Sequence, residues 1–431
     1  MRLFDRIRAY QRTTTPTLGG FVTEWTTTAT DETIYLPLIS SGTYSFNVDW
    51  GDGSSDTVTV YNESAKNHTY ATAGTYTVTI TGTIAGWDFS SLSTSRRNLT
   101  KILSWGDLQI TDDRAFYYCS NLTAITATDT IDLSQTTSLR QMFWGCIKMT
   151  SISSFGDTSS VTSFSGTFQY CYKLIKAPDG LDFSSATYVS TMFQYCYDLN
   201  DISNLDLGTA PTGLSCLSMF GYCTSLTSVN DINLTKADNV EDMFLNCSAI
   251  VTAKNIKLSG PATGVDADSM FRGCSSLEDV TGLEIDNVDI SVSMFRDCSS
   301  LDTIPNLTAT SLVDGAGMFI SCTNLPDFTI SDTDSLDDAS SMFVNCTSLT
   351  APPVTDISAL TDGVNMYSGV TFLTTEYDNY LDYLVNTMSP IPINLSINMG
   401  SSQYSSGTPT TNRTFLTSAP NNWTITDGGQ V

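Results

Sequence analysis

The sequence has very few of the residues that carry acid–base or metal chemistry near neutral pH. His68 is the single histidine in 431 residues, and the 11 cysteines include no Cys-x-x-Cys pair. Zinc sites are usually built from such spaced pairs, and a Ser-His-Asp triad needs a histidine. We therefore predict no catalytic residue, no metal site and no cofactor. A polysaccharide-degrading enzyme, which would use paired carboxylates, stays as a lesser alternative.

Positive charge is scarce as well. Charged residues make up 15% of the chain, with 45 acidic against 19 basic side chains and a net charge of −26. This sign disfavours nucleic acid and anionic membrane surfaces as partners. No run approaches the roughly 18 apolar residues that a membrane-spanning helix needs, so membrane insertion is not expected.

Residues 1–20 contrast with this acidic background. The stretch has no apolar centre of the kind that secretory signals carry, and its apolar residues follow helical spacing. One interpretation is a frayed terminus. The other is an arm that docks on other proteins of a larger assembly. Its contact residues would be Arg2, Phe4, Arg6, Ile7, Arg8 and Arg12.

The largest feature is an internal repeat. The stretch MFQYCYDLNDI at 192–202 returns with variations, and its cysteine recurs every 24 to 27 residues. The repeated cysteines are Cys119, Cys146, Cys171, Cys196, Cys223, Cys247, Cys274, Cys298, Cys322 and Cys346. One more unit replaces the cysteine with Val370 and keeps Leu373 at the leucine place. We assign residues 89–373 to this array, with degenerate units at both ends as caps.

Each unit is too short to enclose a core alone, so the units must stack. The step of three from phenylalanine to cysteine predicts one inward-facing helical turn. Short alternating stretches predict one strand per coil in a parallel ladder. These stretches are LDLG (205–208), DINL (231–234), NIKL (255–258) and LEID (283–286). A free cysteine behaves as a small buried hydrophobe, so we interpret the cysteines as core filler.

The stretch AFYYCSNLTAI (115–125) has an Ala-Phe-x-x-Cys-x-x-Leu form, and ten units keep both the phenylalanine and the cysteine. This pattern resembles the leucine-rich repeats of BspA-like bacterial surface proteins. The resemblance implies an α/β solenoid of the leucine-rich-repeat type, with a parallel ladder plus short helical turns. It also implies a binding role, often an adhesive one.

Residues 21–88 predict short antiparallel strands, because β-branched and aromatic residues alternate between Gly, Asp and Ser turns. Their number and spacing predict an all-β immunoglobulin-like sandwich. The stretches DWGDG (49–53), HTY (68–70) and GTYTV (74–78) resemble a PKD-type domain. Asp49 and Asp52 either bind calcium or shape their turn through backbone hydrogen bonds.

Residues 374–431 predict an α/β cap over the last coil, since an open ladder edge invites aggregation. The inward face of the first predicted helix is Tyr377, Tyr380, Leu381, Leu384 and Met388. A strand over 393–399, a second helix near 410–419 and a final strand near 422–427 follow. This ending resembles the C-termini of repeat proteins encoded by tailed bacteriophages.

Two rows of side chains are candidates for contact with a partner. Near the cysteine, the early coils carry Tyr118, Trp144, Tyr170, Tyr195 and Tyr222. On the predicted ladder, outward acidic positions are Asp132, Asp182 and Asp206. An aromatic row on one half of the rod suits a glycan or protein partner, since flat rings offer area at low entropy cost. The alternative is that the rings only seal the turns against one another.

These observations predict a non-enzymatic surface protein for binding or adhesion. The first hypothesis is a bacteriophage virion protein, a capsid decoration, head fibre or tail adhesin, on the virion surface. Its partners would be other virion proteins, through residues 1–20, and a glycan or protein of the host surface. The second hypothesis is a bacterial cell-surface adhesin that binds host or matrix glycoproteins. Whether the chain forms homo-oligomers is left open.

Overall fold

A computed structural model describes residues 19–92, 94–152, 155–258 and 264–431. The six residues proposed for docking, from Arg2 to Arg12, lie outside the described residues. No helix in the described ranges is long and apolar enough to cross a membrane.

The first part of the described chain is all β. Its strands are β1 (Phe21–Thr27), β2 (Glu32–Tyr35), β3 (Thr43–Asp49), β4 (Ser55–Val58), β5 (Asn67–Tyr70) and β6 (Gly74–Ala85). Strands β4, β3, β6 and β1 form one antiparallel sheet in that order, and β2 pairs with β5 in a second. The alternation in β1 buries Phe21 and Trp25 on one face, as period-two strands require. The immunoglobulin-like and PKD-type assignments stay predictions.

The same sheet continues into the repeat array. Strands β7 (Leu99–Ser104), β8 (Leu108–Gln109) and β9 (Ala124–Ile125) follow along the chain. Strand β7 pairs antiparallel with β1 on one side and parallel with β9 on the other, and β8 pairs parallel with β6. Backbone hydrogen bonds therefore join the N-terminal strands directly to the first coils.

The array is a parallel-strand solenoid, as predicted. Its named strands are β10 (Leu214–Ser215), β11 (Ala237–Asn239), β12 (Val265–Asp266), β13 (Val288–Ile290), β14 (Leu307–Thr308) and β15 (Ile330–Ser331). Parallel bridges connect equivalent positions of successive coils in three ladders. We name one of them the pre-turn ladder, because it lies just before each Met-Phe pair. It contains Ser138, Ser163, Tyr188, Ser215, Asn239, Asp266, Ile290, Asp314, Asp338 and Asp362.

The predicted strand positions need correction. The stretch 205–208 is not a strand, because Leu207–Thr209 forms a 3-10 helix that Asp206 caps. Asn233, Lys257 and Glu284 form single bridges only. The longer strands lie instead in the pre-turn ladder. Four alternating residues are too few to distinguish a strand from a capped turn.

The predicted helical turn in the Met-Phe-x-x-Cys segment is also wrong. The N–H of Cys146 donates to the carbonyl of Phe143 at 3.1 Å, which is the spacing of a tight turn. The N–H of Phe143 donates instead to Thr167 in the next coil at 2.8 Å. Gln141 and Gly145 have φ values of 57° and 73°. Such left-handed residues interrupt a right-handed helix, so alternate N–H groups are left free to bond the neighbouring coil.

The core is a ladder of stacked rings with thiols beside it. Eleven rings, from Phe116 to Tyr367, stack with centroid distances of 5.3–5.7 Å. All eleven cysteines are buried and free, which confirms that they fill the core. Nine of the thiols also donate to the phenylalanine carbonyl of the preceding coil, at 2.9–3.3 Å. The repeated cysteine therefore supplies a small donor as well as volume.

The C-terminal part extends the stack. It contains α1 (Thr374–Asn386), β16 (Ser396–Asn398), α2 (Thr408–Thr417) and β17 (Thr424–Thr426). Ile397 bridges in parallel to Gly363 and pairs with Ile425, so two further strands continue the ladders. The predicted inward face of the first helix is confirmed for Tyr377, Tyr380, Leu381 and Leu384, which are buried in α1. Met388 is buried too, but it lies after the helix ends.

One detail at this end was predicted wrongly. Leu373 does not hold the leucine place, because it is 55% exposed and Phe372 is buried there instead.

Candidate binding surface

The residue directly before each cysteine takes a left-handed conformation. Tyr118, Tyr170, Tyr195 and Tyr222 have φ values of 59°, 63°, 63° and 64°. In later coils the same position, also left-handed, belongs to Asn246, Gly273, Asp297, Ser321 and Asn345. Asn, Asp and Gly adopt this conformation readily, whereas a bulky residue there is uncommon. Four tyrosines in such a position suggest that the rings are needed for something other than the turn.

The rings form a continuous row along five coils. Tyr170 and Tyr195 stack with centroids 4.7 Å apart, and Tyr195 and Tyr222 stack at 4.6 Å. Trp144 connects this row to its start, since it lies 5.6 Å from Tyr118 and 5.0 Å from Tyr170. The structure thus brings all five predicted aromatic residues together.

Trp144 reaches the row from a different position. It lies two residues before its cysteine, and Gly145 occupies the left-handed place between them. A Cβ atom on Gly145 would lie 2.8 Å from the Tyr118 ring, which no real side chain tolerates. The glycine therefore lets Tyr118 lie against this turn. Trp144, which is adjacent in sequence, fills the place in the row between Tyr118 and Tyr170.

Three further rings were missed from the sequence. Tyr117 stacks on Trp144 at 4.8 Å, and Tyr172 and Tyr197 lie 5.0 Å apart one place after their cysteines. The repeated tripeptide Tyr-Cys-Tyr at 170–172 and 195–197 was the available signal. We call the whole set the aromatic face: Tyr117, Tyr118, Trp144, Tyr170, Tyr172, Tyr195, Tyr197 and Tyr222.

The aromatic face is partly open to solvent and carries polar groups beside the rings. Seven of its rings are half-buried and Tyr197 is 38% exposed. Trp144 Nε1 donates to Gln169 Oε1 at 2.9 Å, and Gln169 Nε2 donates to Gln194 Oε1 at 2.6 Å. Burial and the neighbouring tyrosines raise the pKa of Tyr195, so its phenol stays neutral at physiological pH. The rings do seal the turns, and each ring is also partly exposed to solvent.

The predicted acidic row plays a local structural part. Asp132, Asp182 and Asp206 each accept a hydrogen bond from the N–H two residues on, at 2.8–3.0 Å. Burial opposes ionisation of Asp132, but hydrogen bonds from Ser134 lower its pKa overall. These carboxylates cap turns, and any contact that they make with a partner stays a prediction.

The aspartates of the N-terminal turn also bond to their own surroundings. Asp49 Oδ1 accepts from the N–H of Gly51 at 2.9 Å, and Asp52 Oδ1 accepts from Ser54. Asp52 Oδ2 lies 2.7 Å from Nε2 of His68, whose ring stacks on Trp50. Burial raises the pKa of Asp52, but these hydrogen bonds lower it to about 2. The turn-shaping interpretation accounts for these oxygens.

In the later coils, the pre-turn ladder places acidic residues next to one another. Asp314 bridges to Ile290 and to Asp338, which in turn bridges to Asp362. Burial, followed by nearby acidic residues that include Asp338, raises the pKa of Asp314. A carboxyl with a raised folded-state pKa destabilises the fold once pH rises above that pKa.

We expect Asp314→Asn to raise the free energy of unfolding at pH 7 by about 0.5 kcal/mol, the size of an exposed charge interaction. Asparagine keeps the oxygen that accepts from Ala316, as Asn239 does for Glu241 three coils earlier in the same ladder. The gain should vanish near pH 3, because the side chain at position 314 is then uncharged in the wild type as well as in the variant. Urea unfolding followed by circular dichroism measures the free energy of unfolding at both pH values.

The matched control is Asp201→Asn, because hydrogen bonds from Ser203 lower the pKa of Asp201. Its charged form is the favoured one, so this change should bring no gain at pH 7. A gain of equal size in both variants would contradict the like-charge explanation.

Two family profiles match the array. One, described as a mycoplasma protein of unknown function, DUF285, matches residues 112–213. The other, the BspA type leucine rich repeat region in six copies, matches 216–326 and 255–362. The repeats over residues 216–362 are therefore similar to the BspA type. Proteins with such repeats are often surface or adhesion proteins and are generally non-enzymatic.

Among solved structures, the chain is similar to a leucine-rich repeat protein from Eubacterium ventriosum, with 14% identity and a TM-score of 0.30. The match covers 68% of this chain and 90% of that protein. No curated protein matches the chain.

Proposed function

We propose that this protein is a non-enzymatic surface protein that binds a glycan or protein of another surface through its aromatic face. The observation that carries the proposal is the row of rings at left-handed positions. Asn, Asp, Gly or Ser forms the same turn in the later coils without a ring. The turn alone therefore does not require tyrosine at Tyr170, Tyr195 and Tyr222.

The geometry suits contact with a flat or extended partner. Adjacent rings are spaced by 4.6–5.6 Å, so the face is continuous across five coils. Stacked rings are held in place by their neighbours and lose little further entropy on binding. Residues of this kind often dominate the binding energy of an interface.

The test replaces rings with the residue that the later coils use. In Tyr170→Asn, Tyr195→Asn, Tyr222→Asn, each asparagine can keep the left-handed turn, as Asn246 and Asn345 do. We expect the triple variant to lose attachment to the target surface by at least about 100-fold, since each lost anchor costs roughly 1–2 kcal/mol. Attachment is measured with labelled protein on cells or immobilised surface extracts.

Tyr188→Asn is the control for this change. Tyr188 is 56% exposed and lies in the pre-turn ladder, outside the aromatic face. It should bind normally, and all variants should keep the wild-type melting temperature within a few degrees. Normal attachment by a folded triple variant would refute the proposal.

The location of the protein on a virion or a cell surface is a separate proposal. The virion assignment is supported by the basic residues 1–20 and by the likeness of the ending to phage repeat proteins. The type of repeat supports the cell-surface assignment. Mass spectrometry of purified phage particles and of cell-surface fractions from the source decides between them, because the chain should be enriched in one of the two.

A further inference from the structure

Cations without a carboxylate partner are concentrated where the aromatic face begins. Of the 19 lysines and arginines, four lie in residues 1–18. Seven of the others are within 4.0 Å of a carboxylate. Five that have no such partner among the described residues fall within 96–148, namely Arg96, Arg97, Arg114, Arg140 and Lys148. In a chain with 45 acidic residues, a local group of unpaired cations is unexpected.

One of these cations belongs to the aromatic face itself. The guanidinium carbon of Arg96 lies 4.7 Å from the centre of the Tyr118 ring, a cation–π contact. Nε of Arg96 is buried and has no hydrogen-bond partner in the described part of the chain. Arg96 is therefore held in place by packing while its charge is not neutralised.

The next residue, Arg97, lines a recess between the N-terminal strands and the first coils. The recess has a volume of 620 Å³, and Asn121 and Lys148 also line it. Lys148 Nζ donates to Asn121 Oδ1 at 2.8 Å, and Asn121 Nδ2 donates to the Arg97 carbonyl at 2.7 Å. Asn121 thus fixes the lysine beside the arginine's backbone and leaves both charged groups unpaired.

One carboxylate, Glu32, also lines the recess. It accepts from the N–H of Thr28 and from Nδ2 of Asn98, both at 2.6 Å. Burial raises its pKa, but these hydrogen bonds lower it overall, so the group stays charged without a cation partner. Two basic residues, Arg97 and Lys148, thus line the recess against one acidic residue, and the neighbouring Arg96 lies over the first ring of the aromatic face.

We infer that the partner of the aromatic face is an acidic polysaccharide, whose sugar rings lie along the aromatic face and whose carboxylate or sulfate enters the recess. This inference rests on the proposed function. An anion would satisfy Arg97 and Lys148, and charge-assisted hydrogen bonds to such groups are the stronger kind. The amides of Gln169 and Gln194 beside the rings offer polar groups to sugar hydroxyls. The overall charge of −26 would disfavour anion binding over most of the remaining chain.

The test uses the full chain and galacturonate oligomers, with their methyl esters as the uncharged counterpart. Wild type should bind the acidic oligomers about tenfold more tightly in calorimetry. The double variant Arg97→Gln, Lys148→Gln should lose this tenfold preference, because it removes the interaction energy of two exposed charge pairs. Its binding to the esters should be unchanged. The control double variant Lys236→Gln, Lys257→Gln removes the same charge in later coils and should keep the preference.

Each other result overturns a definite part of this scheme. Equal binding of acidic and esterified oligomers by wild type refutes the acidic partner and leaves the aromatic face as a sugar-binding surface. Tighter binding of poly-glutamate or of single-stranded DNA than of the acidic oligomers refutes the sugar class. No binding of any oligomer, with attachment still dependent on Tyr170, Tyr195 and Tyr222, refutes the acidic glycan and leaves the proposed function intact.

Discussion

Replacing Phe220 with alanine is expected to lower the free energy of unfolding by about 4 kcal/mol, the usual cost of removing a buried ring. Phe220 is fully buried and stacks on Phe193 at 5.6 Å and on Phe244 at 5.4 Å. The loss removes two ring contacts and leaves a cavity between coils. Because each coil contacts only its neighbours, the array should also unfold less cooperatively at this point. Urea unfolding followed by circular dichroism measures both effects.

Phe415→Ala provides the comparison, since Phe415 in α2 is 45% exposed. We expect a change of no more than about 0.5 kcal/mol there. If Phe220→Ala were as mild as Phe415→Ala, the ring ladder would not be the main source of stability.

The cysteines should be inert in the folded protein. Burial raises the pKa of Cys247 and of Cys346 to about 12. It also raises the pKa of each of the other nine thiols. At pH 8 a thiol with such a pKa is ionised in roughly one molecule in 10,000, and the thiolate is the reactive form. A thiol reagent should therefore label none of the 11 cysteines in the native state. All of them should react once guanidinium unfolds the chain without a reductant.

Thr347→Cys is a positive control, because Thr347 is exposed beside buried Cys346. This variant should show one rapidly labelled thiol while the other 11 cysteines stay protected. Rapid labelling in wild type, or fewer than 11 thiols after unfolding, would contradict a core of free cysteines.

The sequence predicted the repeat well because regular spacing is visible along the chain. Cysteines every 24 to 27 residues with a phenylalanine three places earlier could only stack in register. The turn conformation was harder to predict. The later coils place Asn246, Gly273 and Asn345 before the cysteine, which indicates a left-handed residue, but the tyrosines of the early coils obscured that signal.

The candidate surface also has features that the sequence predicts and features that only the structure reveals. The row from Tyr118 to Tyr222 could be found from its fixed place in the repeat. The role of Trp144 in connecting Tyr118 to Tyr170 could not be found in this way, since it depends on the space above Gly145. The unpaired state of Arg97 and Lys148 is likewise invisible in sequence, because it depends on which carboxylates come near in three dimensions.

The position of β7 has a consequence for how the molecule can be divided. It forms hydrogen bonds with β1 on one side and β9 on the other, so each unit completes the other's sheet. Deletion of residues 21–88 would strip β7 of one neighbour and expose its edge. The two parts therefore share one sheet, and an unrelated domain in place of the N-terminal part would have to supply a new strand beside β7.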